Sequence, residues 1–239
     1  MRIGIGRDRF VVGPWQGDAA TAYLNTARPG DQIDPQNLTG CLERLRSWGF
    51  SAVVTSALHP EETQPFITNG FRDFDSLTVL SHPLHGMPSP VMPLADGLRL
   101  RRAKRGDLGT VFRVDERAFP PNWRIDALGV EEARRATTRS RFRVVERSDA
   151  DVSGVPVGYA ITGRTGRMGF LQRLATDPDW SGQGIGSALV IDALRWAARG
   201  RCSRLLVNTQ FTNRRALALY ENLGFIQTAT RLTVLRCSL

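Results

Sequence analysis

Lysine is nearly absent: Lys104 stands alone among 32 basic residues, and the other 31 are arginines. An arginine excess of this kind is partly coding bias, so basicity alone is weak ground for a nucleic-acid partner. Cysteine is also scarce. Cys41, Cys202 and Cys237 are odd in number and widely spaced, which argues against a disulfide framework and for reduced thiols. His82 and His85 lie close together, but no Cys/His cluster accompanies them, so they read as solvated linker residues and no metal is expected. No apolar run approaches the ~20 residues of a membrane-spanning helix. The start, Met1-Arg2-Ile3-Gly4-Ile5-Gly6-Arg7-Asp8, has no apolar signal core. The expectation is a cytoplasmic protein without a membrane partner. What is present is ordinary for a globular chain, 41% apolar and 23% charged over 239 residues, enough for one large core or two modest ones.

Charge divides the chain. Residues 1–96 carry 7 Arg against 10 Asp and Glu, a net of −3, whereas residues 97–239 carry 25 basic and 13 acidic residues, a net of +12. The second half should therefore attract anions such as phosphates. Between the halves, Ser81-His82-Pro83-Leu84-His85-Gly86-Met87-Pro88-Ser89-Pro90-Val91-Met92-Pro93 is Pro-rich and lacks periodicity. The expected partition is a first domain over 1–81, a Pro-rich linker over 82–96 and a second domain over 97–239.

The ends of the two halves resemble each other. Residues 51–80 read SAVVTSALHPEETQPFITNGFRDFDSLTVL and residues 203–235 read SRLLVNTQFTNRRALALYENLGFIQTATRLTVL. Each is a strand, a helix, a Gly-Phe pair and a strand ending Leu-Thr-Val-Leu. From Ser51 to Gly70 is 19 residues, and from Ser203 to Gly224 is 21. The pattern suggests duplication followed by decay, against chance likeness of two strand–helix–strand units.

The second half predicts a strand over Leu98–Ala103, then a helix with Asp107 as N-cap and Leu108, Val111, Phe112 and Val114 following. A strand through Phe142, Val144 and Glu146 precedes a polar turn at Asp149-Ala150-Asp151. Val157–Thr162 and Met168–Thr176 form a hairpin across Gly163–Gly166. A helix from about Gly184 to Gly200, a strand over Leu205–Thr209 and a helix over Asn213–Asn222 complete an α+β order.

The chemistry concentrates in two places. After Asp177-Pro178-Asp179-Trp180 comes Ser181-Gly182-Gln183-Gly184-Ile185-Gly186-Ser187, a glycine loop opening a helix. Unobstructed N–H groups and the helix dipole converge there, which makes an anion site, although a Gly-rich turn before a helix is often merely structural. Position 189 is Leu, against a dinucleotide fingerprint, and no Gly-Lys-Ser/Thr follows. Farther on, Asn213-Arg214-Arg215-Ala216-Leu217-Ala218-Leu219-Tyr220-Glu221-Asn222-Leu223-Gly224-Phe225 sets Asn213 and Tyr220 seven residues apart, on one helix face.

These two motifs and their separation resemble the GNAT superfamily of N-acetyltransferases, over about residues 98–239 and partially over 35–80. The resemblance implies a GNAT fold, a mixed and largely antiparallel sheet with flanking helices, in tandem with a truncated N-terminal GNAT-like domain. It implies acetyl-CoA as cosubstrate and direct acetyl transfer to a primary amine, on a small molecule or a peptide N-terminus. By that resemblance, Leu174, Ala175 and Thr176 pair with the pantetheine arm, and the Leu174 N–H polarises the thioester carbonyl. Gly182, Gln183, Gly184, Ile185, Gly186 and Ser187 hold the pyrophosphate; Ser181 replaces the usual Arg or Gln and removes one side-chain partner. Asn213 contacts coenzyme A or simply caps its helix. Tyr220, otherwise a core aromatic, donates a proton to the departing thiolate.

The acceptor side is less legible. Asp115-Glu116-Arg117-Ala118-Phe119-Pro120-Pro121-Asn122-Trp123 is similar to the first-helix loop of ribosomal-protein N-alpha-acetyltransferases, as is Leu174–Asp179. This makes Glu116, Phe119 and Trp123 candidate acceptor contacts, or else a Pro-Pro turn that only packs. Where those enzymes carry a Glu base, this chain has Asn208. Glu116, Glu146 or a bound water remain as bases. A non-catalytic acyl-CoA-binding sensor is the alternative. A nucleic-acid binder, resting on the +12 charge, lacks an aromatic-interleaved basic patch or a helix-turn-helix pattern. Oligomeric state is open.

Overall fold

The computed structural model describes residues 1–15, 18–26, 33–85, 94–148 and 153–239. In chain order the elements are β1 (Arg2–Ile5), β2 (Asp8–Trp15), β3 (Asp18–Thr26), α1 (Pro35–Ser47), β4 (Ala52–Thr55), α2 (Gln64–Thr68), β5 (Arg72–Pro83), β6 (Leu98–Arg102), α3 (Leu108–Ala118), α4 (Ala127–Arg135), β7 (Arg139–Ser148), β8 (Ser153–Thr165), β9 (Met168–Thr176), α5 (Ile185–Arg199), β10 (Arg204–Gln210), α6 (Arg214–Asn222) and β11 (Ile226–Ser238). The polar turn at 149–151, most of the Pro-rich segment and residues 30–32 lie outside the described residues.

The contacts divide the chain into two compact units, and the division does not follow the expected linear partition. Unit 1 holds Met1–Val79, Thr209–Asn213 and Thr228–Leu239; unit 2 holds Leu80–Asn208 and Arg214–Gln227. The last strand of the chain is therefore counted with the first half, and the end of β5 with the second. His82, expected in a solvated linker, is half-buried with its ring edge-on to Phe225, 5.2 Å between centroids. The next residue but one, Leu84, lies in the same core.

In unit 1 the strand order runs β1-β2-β3-β4-β11-β5. β1, β2 and β3 form an antiparallel meander, β4 joins β3 in parallel after the α1 crossover, and β11 lies antiparallel to β4 with Cys237 opposite Val53. Asp34 caps α1 by accepting the Gln36 N–H (2.9 Å), and Pro35 occupies the first helical position, where its missing N–H costs nothing. Leu38, Cys41, Leu42 and Leu45 repeat at helical spacing and bury one stripe of α1. They share a core with Phe10, Leu24, Phe66 and, from the far end of the chain, Leu235. The meander β1–β3 was not anticipated from the sequence.

In unit 2 the order is β10-β9-β8-β7-β6, antiparallel from β6 through β9 and parallel between β9 and β10. The hairpin is tighter and longer than expected, reversing at Gly166-Arg167 with Thr165 opposite Met168. α5 ends at Gly200, as its sequence predicts, and buries Ile185, Leu189, Leu194 and Ala197. Two local readings are corrected. Asp107 does not cap α3 with its side chain; its carboxylate is taken by Arg101 (2.6 and 2.9 Å) and by the Lys104 N–H (2.6 Å), because a short 3-10 turn at Arg105–Asp107 intervenes. The helix α4 was missed, because only Val130 of its apolar residues is buried and the periodic signal is thin.

Candidate active site

β9 is the spine of the site. It pairs with β8 along its length, from Thr165↔Met168 to Gly158↔Thr176, but with β10 only where Met168–Phe170 face Arg204–Leu206. Beyond Phe170 the two neighbours part. Leu174, Ala175 and Thr176 thus keep one edge that β10 does not claim, and alternate residues of an antiparallel strand turn their N–H and C=O outward. A bulge at Gln172 shifts the register from Ile161↔Arg173 to Thr162↔Leu171 just before this stretch, re-aiming the strand.

From Thr176 the chain passes through a 3-10 turn at Pro178–Trp180. The Asp177 carboxylate accepts the Asp179 N–H (3.0 Å), and Arg117 reaches both Asp177 (3.0 Å) and Asp179 (2.8 Å). Ser181, Gly182 and Gln183 follow, exposed. Gly184 then starts α5 at φ 75°, a left-handed conformation that costs a side-chain-bearing residue free energy, and no side chain caps the helix. The N–H groups of Ile185, Gly186 and Ser187 have no acceptor within the helix and add to the positive end of its dipole. Gly186 approaches α6 closely: a Cβ placed on it would lie 3.2 Å from Leu219 Cδ2 and 3.9 Å from Thr176 Oγ1. The end of β9, the first turn of α5 and the middle of α6 therefore meet in one place.

Tyr220 follows Leu219 on α6. It is 4% exposed and tilted against Phe225, with ring centroids 5.5 Å apart. Burial alone pushes its phenol pKa above the usual value of 10, so the group stays protonated through the physiological range. Asn213 directly precedes α6 and its N–H donates to the Gln210 carbonyl (3.0 Å).

Residues 108–225 match the Acetyltransferase (GNAT) family. They form a GNAT domain. The chain is 30% identical over 182 residues to the mycothiol acetyltransferase of Amycolatopsis mediterranei (strain U-32), covering 72% of this chain and 60% of that protein. It is 41% identical over 61 residues to N-alpha-acetyltransferase 30 of Xenopus laevis, covering 26% of this chain and 22% of that one. The chain thus spans less than two thirds of the length of both relatives. Among solved structures, a tandem GNAT protein from the clavulanic acid biosynthesis pathway superposes with a TM-score of 0.69 at 14% identity, over 97% of this chain and 78% of that one. At that identity the likeness concerns the fold.

The acceptor-side candidates of the GNAT domain fall in two groups. Phe119 and Trp123 are brought together by Arg173, whose guanidinium sits 3.7 Å from the Phe119 ring centroid and donates to the Trp123 carbonyl (2.5 Å). Glu116 is exposed and paired with Arg124 (3.0 Å), and Asn208 is exposed on β10. Glu146 is corrected as a base candidate. It is buried on β7 in ion pairs with Arg99 (2.7 Å) and Arg101. Burial pushes its pKa up, but hydrogen bonds from Arg101 and Arg99 outweigh that and hold it below the usual range. A carboxylate so held is a poor proton acceptor. Among the described residues no group of three or more His, Cys, Asp and Glu is placed to hold a metal ion, and no helix is long and apolar enough to cross a membrane.

Sequence reasoning missed a buried network beside the 119–125 loop. Asp115, fully buried on α3, accepts from Arg173 Nε (2.9 Å), Arg173 Nη2 (2.7 Å), the Ile125 N–H (2.7 Å) and the Tyr159 hydroxyl. These bonds tie α3, β8, β9 and the 119–125 loop into one unit. The one available signal was a carboxylate on the apolar stripe of α3: Asp115 follows Val111 and Val114 at the spacing of core positions.

Proposed function

We propose that this chain is an N-acetyltransferase that uses acetyl-CoA and transfers its acetyl group directly to a primary amine. The observation that carries the reading is the uncapped, left-handed entry into α5 at Gly184, next to the free edge of β9 and the α6 residue Leu219. The residues fit the cosubstrate. Along Leu174, Ala175 and Thr176, the alternate residues that turn their backbone groups outward suit the amide-bearing pantetheine arm. Gly182, Gln183, Gly184, Ile185, Gly186 and Ser187 offer backbone donors for the pyrophosphate, with the exposed Ser181 beside them. Asn213 is a further coenzyme contact.

Acetyl-CoA supplies an activated acyl thioester. The chain's own part is to orient it, polarise its carbonyl through the Leu174 N–H, and hold a proton at Tyr220 Oη for the leaving sulfur. The acceptor must attack as the free base. Phe119 and Trp123, fixed by Arg173, form one wall of its site, with Glu116 and Asn208 at the rim. No carboxylate stands ready as a base at the β10 position, so proton removal falls to water or to the equilibrium of the amine itself. Acceptors of both kinds find support among the relatives, one of which is named for mycothiol and another for protein N-termini.

The first unit is a decayed second GNAT-like copy without a coenzyme site, and the protein works in the cytoplasm as a tandem molecule. The test is acetyl-CoA turnover over a panel of small amines and peptides, with thermal shift as a separate readout of binding. Binding without turnover on any acceptor favours the sensor reading, for which the exposed Asn208 in place of a carboxylate is the specific support.

A further inference from the structure

A concave site lies elsewhere in unit 2. A cavity of about 930 Å³ is bounded by the start of β7, the segment after β6, α4 and Trp196 of α5. No residue from Leu174 to Ser187 lines it. The cross-strand register Arg143↔Ala160↔Leu174 puts the β7 end of the cavity two strands from β9, roughly 10 Å away at the usual strand spacing. From there the cavity runs toward Ser140, away from the Thr176 end that leads into the glycine loop.

Its charge is one-sided. Arg102, Lys104, Arg105 and Arg134 line it, are exposed, and make no salt bridge among the described residues. Arg141 and Arg143 also line it and share one carboxylate, Asp192, at 3.0 and 3.5 Å. The Arg143 Nε that makes the longer of these ion pairs is buried and forms no hydrogen bond. The one acid on the wall, Glu131, is engaged by Arg135 (2.7 Å). Such a wall repels an ammonium-bearing acceptor, so this is not the amine pocket. Guanidinium forks match phosphate oxygens in pairs, and the volume lies in the range of small-molecule sites. Phe142 and Trp196 add flat apolar surface.

We propose that this cavity binds a small molecule carrying two or more phosphate groups, at a site separate from the coenzyme loop. A compact ligand of three or four negative charges balances the unpaired cations within that volume. An acidic peptide spreads the same charge over a greater length and would leave part of it outside.

The test is calorimetric titration of the full chain with tripolyphosphate and with ATP, each in the presence of saturating acetyl-CoA and repeated without it. One further probe per chain should bind while acetyl-CoA is present. Arg105→Ala combined with Arg134→Ala, both exposed and outside the acetyl-transfer machinery, should weaken it at least tenfold and leave the acetyl-CoA thermal shift unchanged. If acetyl-CoA itself fails to bind, the double variant still reports on this cavity, so the two readings fail separately. ATP binding more tightly than tripolyphosphate identifies the ligand as a nucleotide; equal binding identifies the phosphate chain as what is recognised. The proposal is overturned if neither probe binds, if the double variant binds as well as the parent, or if a hexaglutamate peptide binds more tightly than both.

Discussion

The segments 51–83 and 203–238 follow the same course, and they differ where chemistry is at stake. In the first, the N–H groups of Asn69 and Phe71 both donate to the Phe66 carbonyl (2.9 and 3.1 Å), and Gly70 donates to Ile67 (3.0 Å). In the second, Leu223 and Phe225 donate to the Tyr220 carbonyl (both 3.0 Å), and Gly224 donates to Glu221 (3.0 Å). Gly70 and Gly224 sit at φ 82° and 84°. The aromatic pairs also correspond, Phe66 on Phe71 at 5.3 Å and Tyr220 on Phe225 at 5.5 Å. Against this shared frame stand two changes. Position 66 lacks the hydroxyl that position 220 has. The helix before β4 is capped by the Asp34 carboxylate, whereas the helix before β10 opens at an uncapped glycine. The packing is alike in both segments, while the phenol and the uncapped helix entry stand in one half of the sequence.

The largest effect should come from the helix entries. Gly184→Glu puts a strained backbone, bulk and a negative charge at the proposed pyrophosphate site, and acetyl-CoA should no longer raise the melting temperature. Calorimetry on the parent should give one coenzyme site per chain. A second site that persists in the Arg105→Ala, Arg134→Ala variant would erase the contrast between α1 and α5, and an unchanged thermal shift in Gly184→Glu would remove the pyrophosphate assignment.

Next is the aromatic pair. Tyr220→Phe should lower kcat by about 10²–10⁴-fold, the usual range for a positioned general acid, with little change in acetyl-CoA affinity or stability. Phe66→Tyr should leave kcat unaltered, because its surroundings offer no reaction to serve. Steady-state kinetics with any accepted amine distinguishes the two; equal kcat for Tyr220→Phe and the parent would return the phenol to the core.

Leu235→Ala sharpens the comparison from the packing side. Leu235 is fully buried in the core that holds Phe10 and Leu38, so the substitution should destabilise unit 1 by about 2–5 kcal/mol despite its place near the chain's end. Chemical denaturation followed by tryptophan fluorescence would measure it. By the same reasoning, residues 97–239 expressed alone should leave β11 without its β4 partner and aggregate or unfold locally, which size-exclusion chromatography would show.

The smallest effect concerns pH. Tyr159 and Tyr220 both have folded-state pKa values raised above 10 by burial. Their contribution to stability is fully present below pH 10 and is lost as pH rises above it, because the unfolded chain releases those protons first. Thermal melts should be flat in this respect up to pH 9 and decline beyond 10, and Tyr220→Phe should soften the decline.

Much of the second unit was legible because its signals are local. The glycine loop, the Gly200 stop and the Asn213–Phe225 run each act within one or two turns of chain, and sequence spacing reports them directly. The acceptor side resisted for the opposite reason. Asp115, Tyr159 and Arg173 meet from α3, β8 and β9, 58 residues apart at the widest, and nothing in the spacing of one predicts the others. Glu146 looked available in the sequence because Arg99 and Arg101, its neighbours across the β6–β7 pairing, are 47 and 45 residues away.

The sequence by itself determined which segments are strands and helices around the glycine loop, where backbone donors would gather, and that one half has a phenol where the other has a phenyl. Those follow from short-range sterics, capping and helical period. The tertiary structure alone decided that the final strand completes the first unit's sheet and core, that Arg173 holds the Phe119–Trp123 loop, and that six scattered cations surround one cavity. Strand pairing and charge convergence depend on which distant segments are brought side by side, and a strand carries no local mark of the edge it will join.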